Sequence, residues 1–396
     1  MKKEHFYLPD GIIYLDGNSL GPMPLAATER VQHTVNVEWK KLLITGWNKA
    51  GWYHQPRVLG DRLAPIIGAA AGSVVIGDTL SIKVYQALAA GLQMRPERNV
   101  ILSDTGNFPT DLYMAEGLIK SFDRGHRLNL ELKVVEPEAV ADHLDENVAV
   151  MMLTHVDYRS GRMHDMDELT RIAQNKGAIA LWDLAHSAGA LPVHMTDCNA
   201  EFAVGCTYKY LNAGPGAPAF IYVRPDLADI AEPALSGWMG HSDPFAFERH
   251  YAAAPAIERM RIGTPPVLQM AALEVALDVW EDVSITDVRN RSIELSELFI
   301  EEVESRCPQL TLFSPRDARQ RGSQVSFTFE EGFAVMQALI AEGVIGDFRA
   351  PDVLRFGFTP LYIDNDDVVK AAMILEKIMA KRLWDQPIFK QRSAVT

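Results

Sequence analysis

Unbroken apolar runs alternate with amphipathic stretches along the first two thirds of this chain. Residues 100–103, 148–153, 178–182 and 217–223 are short runs with almost no polar position. Strands buried on both faces of a parallel sheet read this way, and the helical stretches between them supply the crossovers that parallel neighbours require. Helices are predicted over 26–43, 57–70, 81–93 (opened by Ser81) and 167–176 (closed by Gly177), with a short strand or entry loop at 74–78. After Pro265 the texture changes. Two long helical stretches, 267–283 and 285–306, are followed by strand-like runs at 310–313, 324–329 and 353–358 and a last helix over 364–383. The expected fold class is α/β: a large domain with a mainly parallel central sheet, plus a smaller C-terminal α+β domain. The boundaries are an N-terminal segment over 1–50, the large domain over 51–266 and the small domain over 267–396.

Two motifs carry chemistry on that frame. Thr207-Tyr208-Lys209-Tyr210-Leu211-Asn212-Ala213-Gly214-Pro215-Gly216 sets a lysine in a small, Gly-rich loop, and Leu181-Trp182-Asp183-Leu184-Ala185-His186-Ser187-Ala188-Gly189 puts an aspartate at the end of an apolar run. A pyridoxal-phosphate enzyme needs both. The lysine amine condenses with the cofactor aldehyde, and the carboxylate keeps the pyridine nitrogen protonated. Both residues stand at the carboxyl ends of strands, where open α/β sheets gather their functional groups. Ser81 offers a hydroxyl and unpaired amides to a phosphate, or is simply a helix cap. Phe108, in Asn107-Phe108-Pro109, follows a strand and could stack on a pyridine ring; otherwise it belongs to the core.

Composition narrows the partners. The 396-residue chain has a formal net charge of −14 and no clustered Lys and Arg, so no nucleic-acid partner is expected. No run approaches a membrane span, and Met1-Lys2-Lys3 leads into no apolar core of a signal peptide. Cys198, Cys206 and Cys307 have neither CxxC nor zinc-ligand spacing, and His155, His164, Asp165 and Asp167 match no familiar ligand set; no metal is expected, and the cytoplasm is the expected location.

The chain resembles the kynureninase family, pyridoxal-phosphate enzymes of tryptophan catabolism with fold type I, the aspartate-aminotransferase-like fold. The resemblance runs from Tyr14-Leu15-Asp16-Gly17-Asn18-Ser19-Leu20-Gly21 to Arg355-Phe356-Gly357-Phe358-Thr359-Pro360-Leu361-Tyr362, through Thr154-His155-Val156-Asp157-Tyr158-Arg159 and Ser236-Gly237-Trp238-Met239-Gly240. It implies hydrolysis of the Cβ–Cγ bond of L-kynurenine or 3-hydroxykynurenine to alanine and the corresponding anthranilate, leaving the ring hydroxyl open. It also implies roles. Lys209 would carry the cofactor, Asp183 would face its ring nitrogen, and His186 would lie beside both unless it is a structural histidine. Phe108 would cover the ring; Leu80, Ser81 and Tyr208 would hold the phosphate; Asp111 and Thr154 would touch the ring or its substituents. Tyr208 is also a candidate for proton handling late in the reaction. Trp238 and Thr264 would be further contacts, in this fold often from the other subunit of a homodimer. Arg355 would grip the substrate carboxylate as a bidentate fork, with Ser19 and Trp47 as further substrate contacts, Trp47 from a segment walling the aryl pocket. The N-terminal segment would pack on the small domain or at the dimer interface.

Ala213 stands where the family more often has Gly, and Asp157 where bacterial members usually have Asn; neither removes a catalytic group. A class V aminotransferase or cysteine desulfurase would share Lys209 and Asp183, but Cys307 reads as a helix end rather than a mobile nucleophile. A hydrolase of another β-acylalanine, and a non-catalytic binding protein on the same fold, are the remaining alternatives.

Overall fold

The computed structural model describes residues 1–125 and 127–391. Its strands, in chain order, are β1 (Ile13–Tyr14), β2 (Val74–Ile76), β3 (Val100–Asp104), β4 (Glu131–Val135), β5 (Val148–Thr154), β6 (Ile179–Asp183), β7 (Phe202–Gly205), β8 (Phe220–Val223), β9 (Thr311–Leu312), β10 (Gln324–Thr328), β11 (Val344–Ile345), β12 (Asp347–Arg349) and β13 (Val353–Gly357). Seven of them form the large sheet, in the order β2-β8-β7-β6-β5-β3-β4. Every residue of β5 and β6 is buried. Successive side chains point to opposite faces: Met151, Leu153, Ala180 and Trp182 enter one apolar core, while Val150, Met152, Ile179 and Leu181 enter the other. The helices Leu80–Gln93 and Pro109–Phe122 cover the second face.

The sheet is mainly parallel, with one reversal. β4, β3, β5, β6 and β7 run parallel, whereas β8 is antiparallel to both β7 and β2. The run at 217–223 reads as one more buried parallel strand, and that expectation is corrected here. No helix lies between Gly205 and Phe220 to carry the chain back across the sheet, so β8 returns beside β7 in the opposite sense. The connection that makes this reversal carries Lys209.

Two strands of the large sheet are not expected from the sequence, one for its polar positions and one for its shortness. β4 sits at the sheet edge with none of its residues fully buried, and β7 is only four residues long. The helix Leu80–Gln93 begins one residue before Ser81, with Thr79 as its extended N-cap, so Ser81 lies in the first turn and does not open it. The segment at 26–43 is helical as expected, passing from an α-helix over Ala26–His33 to a wider π-helical stretch over Thr34–Leu42.

In the C-terminal part, β12-β13-β10-β9 form an antiparallel sheet packed by helices Ile285–Arg306, Gly332–Ala341 and Asn365–Ala380. Ser284 caps the first of these, and an Asp364/Asp367 capping box opens the last. The N-terminal segment is tied to this part: β1 pairs with β11, and Lys3 bonds Asp364 and Asp367. That tie brings Asp16, Asn18 and Ser19 to the cleft between the two sheets.

Candidate active site

β6 ends in Asp183, directly opposite Thr154 at the end of β5. From there the chain turns so that His186 faces the loop after β7. Lys209 Nζ lies 3.0 Å from His186 Nε2. The cavity at this point has a volume of about 190 Å³, and Leu80, Phe108, Thr154, Asp183, Tyr208 and Lys209 line one side of it. Asn18, Ser19, Tyr158, Arg349 and Arg355 line the other. A larger cavity of about 620 Å³ beside His155, His164 and Arg289 contains no lysine. The smaller one holds the chemistry.

Asp183 is buried and accepts hydrogen bonds from the Ala185 N–H at 2.8 Å and from the Asp111 carboxyl. Asp111, in the first turn of Pro109–Phe122, is buried against it. Burial first, then the Asp183 charge, raises Asp111 well above the usual carboxylate range, so it holds its proton. Burial also raises Asp183, countered by the Lys209 ammonium and the Ala185 N–H. Asp111 Oδ2 has no hydrogen-bond partner. A buried carboxyl pair with acceptor capacity to spare is a receptor for a cationic N–H. Phe108 is half-exposed at the N-cap of the same helix, edge-on to Tyr158. The Leu80–Gln93 helix has no side-chain cap, so its first amides, Ser81 included, stand ready for an anion. Tyr208 is held protonated, chiefly by the neighbouring Cys206 thiol and then by burial.

Arg355 is buried, and its fork is already engaged. Nε donates to Asp347 Oδ1 at 2.7 Å, Nη2 bonds Asp347 Oδ2 and, at 2.7 Å, Ser19 Oγ, and Nη1 bonds the Tyr158 carbonyl. Asp347 lies opposite Arg355 in the β12–β13 register, and Arg349, two residues on, bonds the same carboxylate at 2.6 Å. Two guanidinium groups therefore share one aspartate. Sequence reasoning missed Arg349, Asp347 and Gln324; alternation along Asp347-Phe348-Arg349 was the one available signal, since it sets two charges on one face of a strand.

Asp16 completes this corner. Its carboxyl is pushed up to about 7 by burial and by the Asp347 charge. Below that pH it is neutral and leaves the arginines free to attract an anion; above it, a second negative charge opposes one. The KM for an amino-acid substrate is therefore expected to rise several-fold from pH 6.5 to pH 8.5, and Asp16→Asn is expected to flatten that rise in a KM–pH series. An unchanged slope in the variant would assign the effect elsewhere.

Three expected site residues are not brought to Lys209 within one chain. Trp47 and Trp238 line an open hollow of about 680 Å³ with Ile44, Tyr53, Phe245 and Phe247. Thr264 is exposed beside Gly77, Asp78, Lys83 and Arg261. Among the described residues no group of three or more His, Cys, Asp or Glu is arranged to hold a metal: His164 bonds Asp104 at 2.6 Å, and Asp165 caps the helix Met166–Asn175. No helix of the described residues is long and apolar enough to cross a membrane.

Comparison with known proteins bears on this geometry. A family model described as the kynureninase C-terminal domain matches residues 288–375. A kynureninase of Pseudomonas fluorescens is 48% identical over 400 residues, covering 100% of this chain and 95% of its own length. One from Burkholderia pseudomallei is 50% identical with the same coverage. Among solved structures, a cysteine desulfurase from Thermococcus onnurineus NA1 superposes with a TM-score of 0.80 at 19% identity, covering 96% of this chain and 97% of that one. A mutant of C-DES, with glycine covalently linked to its PLP cofactor, gives 0.81 at 17% identity, covering 95% and 99%. These two share the fold. The desulfurase alternative fails on the chain itself: Cys307 is buried behind the helix Ile285–Arg306, and burial raises its thiol to about 11.

Proposed function

This chain belongs to the kynureninase family, and from that premise we propose how its residues divide the work. It is a pyridoxal-phosphate-dependent hydrolase that cleaves the Cβ–Cγ bond of kynurenine, giving an anthranilate and alanine. The site fits the cofactor: the unpartnered Asp111 Oδ2 and the remaining acceptor capacity of the Asp183 carboxylate want a cationic N–H, which a pyridinium supplies. Asp183 would hold that nitrogen, Phe108 and Thr154 would flank the ring, His186 would stand beside it, and Leu80, Ser81 and Tyr208 would take the phosphate. When bound, the cofactor supplies an aldehyde for the substrate amine and a ring that draws electrons from the α-carbon.

The remaining work falls to side chains. Lys209 would carry the cofactor, and its Nζ would take and return protons at the substrate. Arg355, with Arg349 beside it, holds the α-carboxylate, and Ser19 orients both. Tyr208, kept protonated, has a phenol proton to give. The bond cleaved lies one carbon beyond this clamp, which fixes it relative to Lys209.

The exposed aromatic hollow around Trp47 and Trp238 supports a homodimer in which these residues and Thr264 reach the partner's site, with Trp47 against the aryl ring. Its exposed Phe245 and Phe247 are apolar area that a second copy would cover. The division into 1–50, 51–266 and 267–396 accords with the two sheets and the β1–β11 tie. Three free, buried cysteines suit a reducing compartment, the cytoplasm.

One observation carries the assignment of Lys209. Lys83 is buried, but it is committed to Asp78, Gln86 and the Met260 carbonyl. Lys209 makes no ion pair among the described residues and has only His186 as a hydrogen-bond partner. Borohydride reduction of the cofactor-loaded enzyme, followed by peptide mass mapping, should find the phosphopyridoxyl group on Lys209; its recovery on Lys83 would overturn the assignment.

A further inference from the structure

We propose that Gln324 is a positioning residue that locks His186 in one tautomer, so that the lone pair of Lys209 stays available for attack. This rests on the reading of Lys209 as the cofactor lysine. The two ends of the Gln324 side-chain amide are told apart by their partners. Nε2 lies 3.2 Å from the Asp157 carbonyl and 3.0 Å from the Tyr158 carbonyl. Both of those groups only accept, so the amide nitrogen must face them. Flipping the amide would set its oxygen against two other oxygens.

Oε1 is therefore the atom 3.0 Å from His186 Nδ1. An amide oxygen only accepts, so Nδ1 carries the ring proton. Both residues are buried. His186 Nε2 is then a bare lone pair, 3.0 Å from Lys209 Nζ. The charged groups acting on the ring from the other elements are Lys209, Arg355 and Arg349, and all oppose a second proton, as does burial. Tyr210 packs edge-on against the same ring, and Asp183, three residues back, is turned to Asp111 and the Ala185 N–H.

The consequence lies in which way the Lys209–His186 hydrogen bond runs. With Nε2 bare, Lys209 donates an N–H to His186 and, on giving up one proton, keeps its own lone pair free to attack an aldehyde. In the opposite tautomer, His186 Nε2–H would donate into that lone pair and quench it. Gln324 decides between the two from the small domain, across 138 residues of chain. The Tyr158 carbonyl that anchors Gln324 also receives Arg355, so the tautomer lock and the carboxylate clamp share one fixed point.

Two measurements test this. Neutron diffraction from the cofactor-loaded, deuterium-exchanged enzyme should show a deuteron on His186 Nδ1 and none on Nε2. In the second, full-length enzyme is stripped of cofactor and its recapture of pyridoxal phosphate is timed across pH. Gln324→Leu, which removes the acceptor, should slow recapture about tenfold at every pH, the worth of one hydrogen bond. Gln324→Glu gives up the bonds to the Asp157 and Tyr158 carbonyls as Gln324→Leu does, but it keeps an acceptor on Nδ1 while making Nε2 more basic, so it should recapture cofactor faster than Gln324→Leu on the alkaline side and lose that advantage on the acid side. If Gln324 were only a tie to the 157–158 loop, Gln324→Glu would be no faster than Gln324→Leu at any pH, and the proposal would fall. A deuteron on Nε2 would also overturn it, and that result needs no variant to fold. Cofactor fixed to another lysine would instead be a failure of the underlying reading.

Discussion

Lys209→Ala is expected to reduce turnover of kynurenine to background, a loss greater than about 10⁴-fold, the upper range for removing a positioned acid–base group alone. Two roles vanish together: the covalent attachment of the cofactor and the proton transfers at Nζ. No neighbour substitutes, because the buried Lys83 is held by Asp78, Gln86 and the Met260 carbonyl. The fold should survive. The Lys209 side chain contributes a single hydrogen bond, worth about 1 kcal/mol net. Thermal unfolding close to wild type with no detectable anthranilate is the expected pair of results. Substantial steady-state activity in this variant would remove Lys209 from the centre of the chemistry.

Replacing Arg355 tests the other end of the substrate. Its fork faces Asp347, so Arg355→Ala leaves that carboxylate with only Arg349 and Ser19. Breaking a buried pair in this way costs about 3–5 kcal/mol, so the alanine variant confounds stability with binding. Arg355→Lys is the cleaner change: it keeps a charge near Asp347 but loses the planar fork. We expect kcat/KM to fall at least about 10²-fold, in line with the 2–5 kcal/mol lost when one member of a hydrogen-bonded charge pair is cut back. Bound cofactor should remain stoichiometric. Loss of cofactor with an unchanged KM would move Arg355 from the substrate to the phosphate or the fold.

Legibility in the sequence followed burial and distance along the chain. β5 and β6 were visible because both faces of each strand are covered, which leaves unbroken apolar runs. β4 was not, since an edge strand keeps polar positions, and the helix Gly332–Ala341 was not, because it is apolar nearly all round and shows no period. The direction of β8 depended on a missing crossover helix rather than on its own residues. In the site, Lys209 and Asp183 could be found because each lies in a local motif, Asp183 at the end of a strand and Lys209 in the loop after one. The Asp347–Arg349–Arg355 cluster and Gln324 could not. They meet the site only through the register of the small-domain sheet and its contact with a loop more than 150 residues earlier. Trp47, Trp238 and Thr264 were read from family resemblance, and a single chain keeps them away from Lys209.

The most direct measurement is product analysis: purified, cofactor-loaded enzyme incubated with L-kynurenine, assayed for anthranilate and alanine together, with 3-hydroxykynurenine run in parallel. Equimolar release of the two products is expected, and the ratio of rates on the two substrates sets the ring-hydroxyl preference. Enzyme that binds the cofactor at Lys209 yet releases neither product from either substrate would keep the fold and contradict the assigned reaction.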